Sequence, residues 1–294
     1  MIKVILWDID GTLLNFKAAE KAGVRSCFKI FRLGECTDAM IEDYSAINDK
    51  FWKMLERGEI EKPVLLVERF REFFVKYGVD TSCVEAFNAE YQQRLADTCI
   101  FNDDGRELVA LLKGRVLQYA ATNGTIVAQD KKLRASGLDR LLDGAFISDR
   151  IGIDKPNREY FEKAFRILDS EHPELELFPA RDDAAASSLH TAAAGSLSVL
   201  SVSSDTPAGS LSFSGAEAAA AQAADASVPL LSKEKAGEIM IVGDSLTSDI
   251  KGGNNAGILT CWYNPGHAVN DKGMQVDYEI SDLRELPELL DRLQ

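Results

Sequence analysis

Two carboxylates separated by one residue, Asp8 and Asp10, stand where a short apolar run ends. The run, Met1-Ile2-Lys3-Val4-Ile5-Leu6-Trp7, is rich in β-branched and large apolar residues, the mark of a strand buried in a sheet. Gly11 and Thr12 follow at once. In open α/β sheets the C-terminal ends of strands are where ligands bind. Two like charges this close repel, and each raises the other's pKa unless a cation joins them. The pair therefore calls for a bound metal ion and acid/base chemistry. An EF-hand loop fits poorly, because its twelfth position would be Ala19, where a bidentate Glu is needed. The plain alternative is a strand that runs into a polar turn. Three later stretches weigh against it.

The first of these is Thr122-Asn123-Gly124, at the end of the apolar run Val116-Leu117-Gln118-Tyr119-Ala120-Ala121. The second is Lys155, placed before Pro156, which can open a helix over 158–168. The third is Gly243-Asp244-Ser245-Leu246-Thr247-Ser248-Asp249, which follows the strand expected over 239–242. In a parallel sheet such strand ends share one edge, so all these side chains can converge. Each residue also has a structural reading: Thr122 and Asn123 as strand terminators, Lys155 as a solvated turn residue, Asp249 as a helix cap. Gly252, Gly253 and Gly257 match no phosphate-binding fingerprint and suit close helix–sheet packing.

The elements that must position these groups fall into two kinds. Residues 16–97 carry apolar side chains at three- and four-residue spacing, predicting helices over 18–31, 39–55, 63–77 and 83–95, with Gly34, Gly58 and Gly78 at the breaks. This is a helical bundle inserted after the first strand. A helix over 103–112 ends at Gly114. From residue 115 strands alternate with helices: strands near 116–121, 144–148, 239–242 and 259–263, helices near 126–136, 158–168, 248–256 and 282–293. That alternation predicts an α/β fold with a parallel, doubly wound sheet. The stretch 180–232 breaks the pattern. It is Ala/Ser-rich, poor in large apolar residues and without steady period, which predicts a flexible surface insertion or, as second choice, a partly helical flap.

The four stretches, taken in order, resemble the four motifs of the haloacid dehalogenase-like phosphohydrolase superfamily: Asp8-x-Asp10-Gly11-Thr12, Thr122-Asn123, Lys155-Pro156 and Gly243-Asp244-x-x-x-x-Asp249. A lone DxD or KP occurs by chance; all four in order are specific. The resemblance covers the chain outside the Ala/Ser-rich stretch. It implies a core of residues 1–15 and 98–294 and a helical cap at 16–97. It also implies roles. Asp8 resembles the nucleophile, and Asp10 the general acid that then becomes the base. Mg²⁺ would be held by Asp8, the Asp10 backbone carbonyl and Asp244, with Asp249 behind them, orienting a metal-bound water or Lys155. Thr122, backbone N–H groups near Asn123, and Lys155 would bind the phosphoryl group. An Asp at position 10 sets the chain apart from the family's dehalogenases, which lack one there.

Within the family the chain is similar to housecleaning pyrimidine 5′-nucleotidases. The looser supporting stretches are residues 43–48 with Phe51-Trp52, and Cys261-Trp262-Tyr263-Asn264. Phe16 could stack on a base, whereas Phe51 and Trp52 read as bundle core. The implied substrate is a small phosphorylated metabolite, a nucleoside monophosphate first. A sugar phosphate, phosphoglycolate or a phosphomutase reaction stands second, and a non-catalytic binding protein on the same fold third.

Composition sets the outer bounds. With 294 residues, 46% of them hydrophobic, the chain can bury a large core. A net charge of −14 argues against nucleic-acid polymers and anionic membranes as partners. Five cysteines, none in a C-x-x-C pair, suit free thiols in a reducing cytosol, and the apolar start is shorter than a signal peptide; the expectation is a cytoplasmic protein.

Overall fold

The computed structural model describes residues 1–178 and 229–293. The greater part of the stretch expected as an insertion, up to residue 228, lies outside them. Of its last residues, Leu231 is buried against the sheet with Leu230 beside it, and Ser232 caps the short helix Lys233–Ala236.

Six parallel strands form one sheet in the order β3-β2-β1-β4-β5-β6. They are β1 (Val4–Trp7), β2 (Leu117–Thr122), β3 (Gly144–Ile147), β4 (Ile239–Gly243), β5 (Leu259–Tyr263) and β6 (Tyr278–Ile280). The first strand is central. Val4 pairs with Leu117 on one side and Ile239 on the other. Side chains of β1 alternate between two apolar clusters, as the pleat requires. Ile5 and Trp7 enter one face with Leu108, Val109 and Leu286; Val4 and Leu6 enter the other with Phe161 and Phe165. Helices on both faces make the sheet doubly wound, as expected. Its chain order reverses direction between β1 and β4, and there a crevice opens at the C-terminal edge.

Four helices follow β1: α1 (Phe16–Phe31), α2 (Asp38–Glu56), α3 (Lys62–Tyr77) and α4 (Val84–Arg94). They start and stop where local chemistry dictates. Asn15 and Thr37 accept backbone N–H groups as N-caps, Pro63 opens α3, and Gly78 closes it in the left-handed region. These helices bury a cluster of their own, centred on Phe28, Tyr44, Phe70, Phe73, Phe74 and Phe87. Tyr44 stacks on Phe70 at 4.8 Å between centroids, and Phe74 meets Phe87 edge-on at 4.9 Å. The helical cap so formed joins the sheet through two paired linkers. Leu14 bridges Phe101, and Asn15 donates its N–H to the Ile100 carbonyl at 2.8 Å.

Beyond the cap come α5 (Gly105–Leu112), α6 (Ile126–Ser136), α7 (Ser148–Ile151) and α8 (Arg158–Glu171), then α9 (Lys233–Ala236), α10 (Lys251–Ala256) and α11 (Leu286–Arg292). The helix expected from 103 starts at 105, because Asp103 and Asp104 both adopt positive φ. The helix expected from 248 is entered through a π-turn over Leu246–Ile250. No helix among the described residues is long and apolar enough to cross a membrane.

Candidate active site

Asp8 sits at the end of the central strand, its N–H bonded to the Val242 carbonyl of β4 at 2.9 Å. Asp244 begins the loop after β4. The two carboxylates thus face each other across the crevice between adjacent strands. Thr12, four residues after Asp8, ties Asp244 to the loop that follows β1: its hydroxyl accepts the Asp244 N–H at 3.0 Å and donates to Asp244 Oδ1 at 3.3 Å. Gly11 permits this closeness. Its φ is +106°, and a Cβ there would lie 2.6 Å from Asp244 Oδ2. The Trp262 indole N–H holds the Asp244 carbonyl at 2.9 Å.

Lys155 enters from the loop before α8 and is 1% exposed. Its ammonium pairs with Asp8 Oδ1 at 3.0 Å and Asp249 Oδ1 at 2.5 Å, and donates to the Ala121 carbonyl. Asp249 spends its other oxygen on the Ser245 N–H at 3.1 Å. Both Asp249 oxygens are therefore occupied. The Asn123 side chain clamps the Lys155 backbone, accepting its N–H and donating to its carbonyl, each at 2.8 Å. Asn123 lines the cavity with its amide committed to Lys155, so what it can offer a ligand is backbone. The Thr122 hydroxyl accepts the Gly124 N–H at 3.2 Å, which leaves its own proton to give.

The electrostatics follow from burial. Burial pushes the Asp8 carboxyl up to about 7; Lys155 pulls it down and Asp249 pushes it up. Burial pulls the Lys155 ammonium down, but Asp249 and Asp8 more than offset this and hold it above its ordinary value. Asp244 opens onto the cavity while protein walls surround it on the other sides. Those walls, with Asp8 and Asp249, raise it well above the usual carboxylate range. Asp8 Oδ2 is buried without a hydrogen-bond partner. Oxygens of Asp8, Asp244 and Asp249 lie within 4.8 Å of one another. With Asp249 occupied, Asp8 and Asp244 remain as a pair of strained hard anions, and a divalent cation with oxygen preference fits that donor set.

Asp10 takes a direction that spacing alone did not suggest. Its carboxylate turns toward α6, where Gln129 Nε2 donates to Oδ2 at 2.6 Å and Lys132 pairs with Oδ1. Neither residue stood out in the sequence. The signal was there: residues 128, 129, 132, 133 and 136 form the buried face of α6, and a Gln and a Lys interrupt it.

A cavity of about 690 Å³ lies over this edge. Asp8, Thr122 and Asp244 are on its floor; Phe16, Trp52 and Lys53 are on the cap side. Phe51 is cap core as expected, whereas Trp52 packs on that core and also lines the cavity. Side chains of the cap reach the core beside this cavity. Thr247 donates to Glu56 Oε2 at 2.6 Å. Lys62, buried, reaches Ser148 Oγ at 2.6 Å, Asp149 at 3.0 Å and Asp154.

The chain is similar to known proteins over nearly its whole length. The chain is 29% identical to the pyrimidine 5′-nucleotidase PynA of Streptococcus pneumoniae over 292 residues, covering 99% of this chain and 95% of that one. It is 23% identical to the pyrimidine 5′-nucleotidase YjjG of Escherichia coli, covering 97% and 96%. A crystal structure of the HAD-hydrolase YfnB of Bacillus subtilis, described as bound to magnesium and as revealing interdomain movement, superposes with a TM-score of 0.71 at 27% identity over 99% of both chains. The C-terminal part, residues 215–286, matches a HAD-hydrolase-like family model. Residues 2–175, more than half of the chain and the part that carries Asp8, Asp10, Thr122 and Lys155, match the haloacid dehalogenase-like hydrolase family, and the chain belongs to it.

Proposed function

We propose that the chain is a Mg²⁺-dependent phosphomonoester hydrolase that works through an aspartyl-phosphate on Asp8, with nucleoside monophosphates, pyrimidine ones first, as substrates. The observation that carries this reading is Asp8 itself: a buried carboxylate with Oδ2 unpartnered, beside a buried ammonium and a second carboxylate. A carboxylate kept only for structure would have both oxygens bonded.

Asp8 attacks phosphorus, forming the Asp8 O–P bond as the bond to the leaving oxygen breaks. Asp10 donates a proton to that oxygen, then takes one from the water that attacks the phosphoenzyme. Lys155, the Thr122 hydroxyl and the Asn123 backbone N–H hold the phosphoryl oxygens and offset their charge. Asp8, the Asp10 carbonyl and Asp244 are the residues that would hold Mg²⁺, which supplies charge neutralisation between phosphate and carboxylates. Asp249 keeps Lys155 in place. The nucleotide preference rests on the names of PynA and YjjG and on the aromatic rings of Phe16 and Trp52 in the cavity wall.

The test is phosphate release from a panel of nucleoside monophosphates and sugar phosphates, with Mg²⁺ and with EDTA. Release is expected only with Mg²⁺, with the highest kcat/KM on a pyrimidine nucleoside monophosphate. A sugar phosphate at the head of the ranking would overturn the nucleotide assignment. Full turnover in EDTA, or none on any phosphomonoester with Mg²⁺, would overturn the hydrolase assignment made here.

A further inference from the structure

The grip of α6 on Asp10 is lopsided. Lys132 is 1% exposed, and a buried ammonium needs an anion to stay where it is. Asp10 Oδ1 accepts from it, as carboxylate or as the carbonyl oxygen of the protonated acid, and the ring of Phe16 lies 5.8 Å away on another side. Oδ2 is held by a neutral amide alone. Gln129 reaches it by passing over Gly124, where a Cβ would sit 2.1 Å from Nε2. Gln129 Oε1 is buried with no partner, so this amide is half-satisfied. One oxygen is paired with an ammonium; the other accepts from a neutral amide, the weaker of the two contacts.

The helix that does this is braced on the cap. Thr125, its N-cap, donates its hydroxyl to Gln92 of α4 at 2.9 Å. Lys131 reaches the Gln93 carbonyl at 2.8 Å and Asp97 at 2.7 Å. The groups that hold Asp10 thus ride on a helix whose position answers to the cap.

Resting on the hydrolase reading above, we propose that Lys132 is a positioning residue for proton transfer: it pins Asp10 through Oδ1 so that Oδ2, released from Gln129, serves the leaving oxygen. The first half-reaction starts with Asp10 protonated on Oδ2, no longer an acceptor for Gln129, while Oδ1 still accepts from Lys132. The proton passes from Oδ2 to the leaving oxygen as the P–O bond breaks, and Asp10 is left as a carboxylate paired with Lys132. In the second, Oδ2 takes a proton from the water as its oxygen bonds phosphorus and the Asp8 O–P bond breaks, which restores the protonated acid for the next turnover.

The experiment is single-turnover phosphorylation of the full chain by two substrates, the best nucleoside monophosphate and nitrophenyl phosphate. An alkoxide leaving group needs the proton; nitrophenolate needs it far less. Lys132→Met is expected to slow phosphorylation by the nucleotide at least about tenfold more than by nitrophenyl phosphate. In an Asp10→Asn background the same substitution should cost nothing further, since the group it positions is gone. Gln129→Leu should lose less than about tenfold on either substrate. Lys132→Arg keeps the charge and should lie between the parent and Lys132→Met with the same selectivity; it carries the test if the Met variant does not fold. Equal losses on both substrates, or a further loss in the Asp10→Asn background, would overturn the role of Lys132. Absence of any leaving-group selectivity in Asp10→Asn alone would instead overturn the general-acid assignment, and with it this proposal.

Discussion

Buried charge is handled in two ways in this molecule. In the cap, Glu20 and Arg69 are both buried, and Asn48 relays between them. Arg69 donates to Asn48 Oδ1 at 2.7 Å, and Asn48 donates to Glu20 Oε1 at 2.9 Å. Asn88, the Leu66 carbonyl and Ser45 take up what is left. Rings of Phe70 and Tyr91 cover the guanidinium at 4.9 and 5.3 Å. At the sheet edge, Asp8, Lys155 and Asp249 are packed as tightly, but Asp8 Oδ2 has no partner and Asp244 faces Asp8 across the crevice. A network with every atom satisfied fixes a structure. One with an anion left over holds that anion ready for something else, at a cost in stability.

The largest effect expected from this contrast is on turnover. Asp8→Asn should lower kcat by about 10⁴-fold or more, since no phosphoenzyme can form, while the folded protein survives urea at least as well as the parent. A variant that loses both activity and stability would mean that the sheet edge is as structural as the cap. Arg69→Met should do the reverse. It leaves Glu20 and Asn48 buried without their cation, costing about 3–5 kcal/mol of stability by urea denaturation, with kcat of the folded fraction changed only a few-fold. Gly11→Ala falls between. Its φ and the approach of Asp244 predict about 1–3 kcal/mol of strain together with weaker Mg²⁺ activation, read as a higher Mg²⁺ concentration at half-maximal rate. A full loss of stability with normal Mg²⁺ response would make Gly11 a turn residue only.

The smallest effect is on pH. Asp8 stands at about 7 in the folded chain against an ordinary 3.8. Between those values the folded state holds a proton that the unfolded state does not, so stability without metal rises as pH falls from about 8 to about 5. In EDTA the parent's Tm should climb by a few degrees over that range, and the curve for Asp8→Asn should be flatter. Parallel curves would mean that Asp8 is compensated as fully as the cap charges are.

Much of this was legible in the residues, for a physical reason. Strand β1 and helix α6 announce themselves through periodicity and flanking Asp, Thr and Gly, so the expected and observed bounds of α6 agree at 126–136. Motif residues at strand ends need only the parallel topology to converge, and that follows from the alternation of elements. What could not be read was lateral. Strand β6 is three residues long at the sheet's edge, too short for a period. The turn of Asp10 toward Lys132 depends on which face of α6 meets the crevice. Lys62 with Asp149 and Asp154, and Glu56 with Thr247, depend on how the cap lies on the sheet. Single side chains that cross between units leave no local pattern behind.

The central place of β1 has a consequence for synthesis. Thr12 and the Asp244 it bonds are 232 residues apart. At about 5–20 residues per second a ribosome needs roughly 10–50 s to travel that far. During that time the four cap helices have all emerged and can close their aromatic cluster. Meanwhile Val4–Trp7 waits with both edges open until β2 takes one, and with the other still open until β4 arrives. Such an edge is a site for wrong pairing. A nascent chain released early would therefore carry a finished cap, an exposed central strand and no Asp244. It would be a substrate for chaperones before it could be an enzyme.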